Sequence, residues 1–161
     1  MAGRQGAAGH QGARAALRKL AVAVHDRDQA AAALAFAREH GLAILLTSPP
    51  GAAARAGVLY FRALEELVRA PVLVDCGADA GLVLAGLRMG LRQLLFTGPP
   101  PLRRRLREIA GAQDALVHAR LGPRRLLLEP GEDAARRLRF HTAGGYLAPP
   151  LPPSSQGGGR V

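Results

Sequence analysis

Residues 71–98 read PVLVDCGADAGLVLAGLRMGLRQLLFTG. After a proline, Val72, Leu73 and Val74 form an apolar run too short for a helix and rich in β-branched side chains, which predicts a strand buried on both faces. Asp75 falls at its carboxyl end. Asp79 is placed to cap a helix over the apolar residues 82–89, Gly90 stops it, and a second strand over 93–96 ends at Thr97. The stretch is thus one complete strand-helix-strand unit. It brings Asp75, Cys76 and Thr97 to the sheet rim where α/β proteins hold their ligands.

Outward from that unit the same rhythm repeats. A strand is expected over 20–24, a helix over 29–40 capped by Asp26 or Asp28, a strand over 43–46 and, after the loop TSPPGAA, an amphipathic helix over 57–69 with Tyr60, Phe61, Leu64, Leu67 and Val68 inward. Beyond residue 98 the prolines 99–101 start a helix that carries Leu102, Leu106 and Ile109, and 115–118 is a fifth strand. Residues 125–128 and 132–140 are a further candidate strand and helix. Strands separated by single helices at this spacing predict parallel α/β structure. Residues 1–14 are read as a flexible start, 15–141 as a single α/β domain, and 142–161 as a disordered Pro/Gly-rich tail.

The chain has 161 residues and a net charge of +10, with Lys19 its only lysine. That length suits one domain and falls short of a full eight-stranded α/β barrel, which needs about 200 residues. An Ala-, Arg-, Gly- and Pro-rich composition is what GC-rich codons produce, so the charge alone assigns no partner. Cys76 is the only cysteine, which excludes an internal disulfide and fits a reducing compartment. No apolar run reaches membrane-spanning length, and the N-terminus lacks the apolar core of a signal peptide. A cytoplasmic protein with no membrane partner is expected.

Five segments, in order and in register, carry a family resemblance: AVHDRDQA (23–30), SPPGAA (48–53), LVDCG (73–77), MGLRQLLFTG (89–98) and VHARLG (117–122). They resemble the first five strands of the class II, metal-dependent fructose-bisphosphate aldolases and their tagatose-bisphosphate relatives. The resemblance implies a partial, half TIM-type βα barrel of about five parallel βα units. The alternative is a flavodoxin-like open parallel sheet, order 2-1-3-4-5, with helices on both faces. By the resemblance, Asp75 stands at the family's proton-transferring aspartate. Ser48, Gly51 and Ala52 match a turn that helps to hold substrate phosphate, and Thr97 and Gly98 follow the fourth strand. Cys76 replaces a zinc histidine, and His118 and Arg120 replace two glutamates, so zinc is not expected.

Each candidate also has an ordinary reading. Asp75 can cap the turn after its strand, Cys76 can fill a small apolar space, and Cys76 with His118 offers two soft ligands where zinc wants three or four. Ser48 and Gly51 lead into a helix N-terminus that attracts anions, yet Pro-Pro-Gly is also a common turn. The function these residues imply is a degenerate aldolase-like protein, catalytically weak or inactive, that binds a small phosphorylated or anionic metabolite or serves as an interaction scaffold. A metal-free lyase or isomerase using Asp75 is one alternative. A basic nucleic-acid-associated protein is the other, set lower because few aromatics lie among the basic groups. A half-barrel would leave Val22, Leu45, Leu73 and Leu95, or their neighbours, facing water, so a homodimer is expected to cover them.

Overall fold

The computed structural model describes residues 19–143. The flexible start assigned to 1–14 and all but the first two residues of the tail at 142–161 lie outside that range. Six strands are formed by Leu20–Ala23 (β1), Ile44–Thr47 (β2), Val72–Asp75 (β3), Gln93–Leu95 (β4), Leu116–His118 (β5) and Arg125–Leu127 (β6). Between and after them run Arg27–Glu39 (α1), Ala52–Ala56 (α2), Val58–Val68 (α3), Ala80–Arg88 (α4), Pro100–Gly111 (α5) and Ala134–His141 (α6). The caps follow the sequence. Asp26 accepts from the Gln29 amide at 2.8 Å, and one Asp79 carboxylate oxygen accepts from Gly81 and Leu82 at 2.8 and 3.1 Å. The loop after β2 departs from expectation by winding a further short helix, α2, whose Ala52 and Ala53 are buried.

All six strands are parallel, in the order β5-β4-β3-β2-β1-β6. β3 therefore lies beside β2, not beside β1 as in the order 2-1-3-4-5, and a sixth strand takes the free edge of β1. From β1 to β5 each crossover steps the same way along the sheet. Right-handed crossovers of that kind leave their helices on one face. Val22, Leu46, Val74, Leu94, Val117 and Leu126 accordingly share a single core with Phe36 of α1, Phe61 of α3, Val83 of α4, Leu106 of α5 and Leu138 of α6. Tyr60 and Leu67, expected inward on α3, are exposed, because the core takes only the narrower stripe of Val58, Phe61 and Leu64.

The opposite face holds the alternate residues, and its centre is closed to water, while Leu127 at the β6 edge is exposed. Leu45, Leu73 and Leu95 are buried there with Leu121 packed against them, while Val22 faces the helices. Leu121 belongs to the link between β5 and β6, which occupy opposite edges of the sheet. Residues 119–124 alone make that passage, and an extended link of this size reaches about 25 Å. A flat six-stranded sheet would need about 24 Å across its width, and more to return from the end of one strand to the start of the next. The link also bends at 119–120. The sheet is therefore curled, with the link lying on its concave face. No helix among the described residues is long and apolar enough to cross a membrane.

Candidate functional site

The strand ends bring most of the sequence-predicted residues together, through the backbone. The Asp75 amide donates to the Ser48 hydroxyl at 2.8 Å, and the Ser48 amide donates to the Leu73 carbonyl at 2.9 Å. The Thr97 amide donates to the Gly77 carbonyl at 2.8 Å, which ties the end of β4 to the turn after β3. Ser48, Asp75 and Thr97 thus meet at one rim. What their side chains do there is mostly local. An Asp75 carboxylate oxygen accepts from the Gly77 amide at 2.7 Å, a turn-capping contact, and buried Ser48 donates to the Pro49 carbonyl at 3.2 Å.

The proposed phosphate turn is likewise engaged in its own fold. Gly51 adopts φ +63°, a left-handed conformation that favours glycine, and the Ala52 amide donates to the Pro49 carbonyl at 3.1 Å. Thr97 is exposed, whereas Gly98 is buried, and a side chain at Gly98 would collide with the Phe96 ring. That glycine is explained by packing. Its carbonyl accepts from Arg103 at 3.1 Å.

The two soft candidates lie on opposite sides of the sheet. Cys76 is buried in the helix-side core, its thiol 3.8 Å from the Val74 carbonyl. Burial first, then the neighbouring Asp75 and Asp79 charges, push that thiol up to about 12, so it is held as an unreactive thiol. His118 is aligned across the ladder with Leu95 and Asp75, which places it on the concave face. Its Nε2 lies 2.6 Å from the Gln93 side-chain oxygen, and burial, helped by the Arg107 charge, lowers it to about 4. Cys76 and His118 cannot share an ion through the sheet, and among the described residues no three His, Cys, Asp or Glu side chains gather.

Two structural partners escaped the sequence reading. Gln93, the one polar residue of its strand, is the acceptor that His118 needs. Buried Gln29 donates to the Glu129 and Glu132 carbonyls at 2.7 and 3.1 Å, and its oxygen accepts from the His25 amide at 2.8 Å. His25 Nε2 meets the Leu128 carbonyl at 2.8 Å, and Tyr60 donates to the His25 carbonyl at 2.6 Å. This network fastens the end of β6 to the β1–α1 turn. A polar residue inside an otherwise alanine-rich helix was the only hint of it.

Two open clefts stand out on the surface of the described residues. One of about 380 Å³ lies along α6 beside Arg136, Arg137 and Phe140, and one of about 340 Å³ lies between Glu65, Arg69 and Arg92. Neither touches Ser48, Asp75 or Thr97. Fold and rim together define a parallel α/β protein whose strand-end residues serve mainly to build their own turns. In comparisons with known proteins, no family model and no curated protein matches the chain.

Proposed function

We propose that this chain is a degenerate half-barrel of the class II aldolase type, catalytically weak or inactive, that works as a binding or scaffold protein. Sequential strand order from β1 to β5, helices on one face and a curled sheet favour the half-barrel over a doubly wound sheet. On this reading β6 stands beside β1, where a full barrel would have its last strand. The observation that carries the loss of catalysis is the engagement of Asp75, whose carboxylate caps Gly77 while the Ser48 hydroxyl is spent between Asp75 and Pro49. Metal-dependent aldol cleavage also needs an ion with an open position to stabilise the developing enediolate. Cys76 and His118, on opposite faces, do not supply one. Any small phosphorylated ligand would be taken at exposed Thr97 and the Gly51 turn. Twofold pairing loses its motive, because the chain covers its own concave face with Leu121. A cytoplasmic setting goes with the single buried thiol.

The test is cleavage of fructose bisphosphate by purified protein with added zinc, beside an Asp75→Ala variant. Both should stay at background. Zinc-dependent cleavage that the substitution abolishes would overturn the proposal.

A further inference from the structure

The curled sheet leaves a seam between the free edges of β5 and β6, and that seam is lined with arginine. Leu116 and His118 direct their ladder groups to β4, so the Val117 carbonyl, one residue out of phase, points to the open edge. Arg107 of α5 reaches across and donates its Nε to that carbonyl at 2.9 Å. On the other edge Arg125, the first residue of β6, donates its Nε to the Gly122 carbonyl at 3.2 Å. Between them Arg120 and Arg124 lie exposed on the link. A guanidinium held through Nε keeps its terminal N–H groups for another acceptor. These are the donors that grip a phosphate oxygen pair.

Codon bias does not account for the seam. Residues 19–99 hold eight basic and seven acidic side chains, near balance, whereas residues 100–143 hold ten arginines against five acids. Of those ten, Arg137 alone forms an ion pair among the described residues. Arg62 alone does so in residues 19–99, so the contrast between the two regions is one of net charge: the first is nearly neutral and the second carries an excess of five positive charges. Four exposed cations without acid partners among the described residues, two of them held to backbone carbonyls and all outside the two clefts described above, suit an extended polyanion better than a small ligand.

We propose that the seam formed by Arg107, Arg120, Arg124 and Arg125 binds the phosphodiester backbone of a nucleic acid without reading its bases. Contacts to phosphate need no stacking aromatics, so the scarcity of aromatic residues does not count against it. This inference stands apart from the aldolase-type reading and survives that reading's failure.

The experiment is fluorescence anisotropy of the full chain with labelled mixed-sequence RNA, single-stranded DNA and duplex DNA across a salt series. Arg120→Gln/Arg124→Gln, at exposed side chains, should weaken binding several-fold and lower the log–log salt slope by about 1.5, near 0.7–0.9 per phosphate contact. The charge-matched control Arg38→Gln/Arg88→Gln, at exposed positions of α1 and the end of α4, should leave both nearly unchanged. Photo-crosslinked RNA should map to peptides within residues 103–128. Equal loss in the two double variants would overturn the proposal, as would crosslinks confined to 19–99, absence of binding at low salt, or binding to phosphatidylserine vesicles with none to nucleic acid.

Discussion

His118 is a histidine that the fold keeps neutral. It is buried to 3% exposure beside Gln93, with Arg107 near enough to oppose a second positive charge, and both effects hold its acidity at about 4 against 6.5 for a free side chain. Because the folded value is the lower one, the unfolded chain binds the proton first as pH falls. The stabilisation is therefore complete above about 6.5 and is lost progressively down to about 4. The span corresponds to roughly 3 kcal/mol. Urea unfolding of the native protein at pH 7 and pH 4.5 should show a loss of that order, and His118→Gln should flatten the difference between the two. An equally steep decline in the variant would assign the effect to carboxylates instead. The same residue shows why a site cannot be read from residue type alone: as a strand-end histidine it resembles a ligand, and only its depth and its neighbour disclose a core group.

At the scale of elements, residue order disclosed nearly every strand and helix, since apolar runs and caps report on local structure. β6 was visible as a short apolar segment, Arg125 to Leu128. Its position was not, because periodicity says which face a strand buries and nothing about which strand it joins. Placement next to β1 depends on contacts some hundred residues apart in sequence, above all the Gln29 side chain with the Glu129 and Glu132 carbonyls. The rim was legible to the same extent: convergence of Ser48, Asp75 and Thr97 followed from strand ends, and the capping of its own turn by Asp75 was one of two readings that the sequence left open, whereas the bridging of the Asp75 amide and the Pro49 carbonyl by the Ser48 hydroxyl was not legible. Gln29→Ala should cost about 1–3 kcal/mol, because it removes three hydrogen bonds made by one buried side chain. It should raise hydrogen exchange first at residues 125–128, whose Leu128 amide donates to Ala23 at 3.2 Å. A loss of protection spread evenly over β1 to β5 would mean that the network is not a local clamp.

For the whole molecule, the question is how a sheet with all its helices on one face can leave the other face buried within one chain. The expected answer, a second copy, came from the assumption that the inner face of a half-barrel stands open to water. The short passage through 119–124 removes that assumption, since it pulls β5 and β6 toward each other and drags Leu121 across the space between them. Leu45, Leu73 and Leu95 are left at 8%, 1% and 5% exposure, so the large apolar side chain that remains exposed on that face is Leu127 of edge strand β6. The native protein should then sediment as a monomer at micromolar concentration. Leu121→Ser should remove the cover at a cost of about 1–3 kcal/mol and expose an apolar patch of the kind that drives association. Sedimentation of the variant should accordingly depend on concentration where that of the native protein does not. A native dimer that persists on dilution, or a Leu121→Ser variant that is as stable and as monomeric as the parent, would show that something other than this leucine closes the concave face.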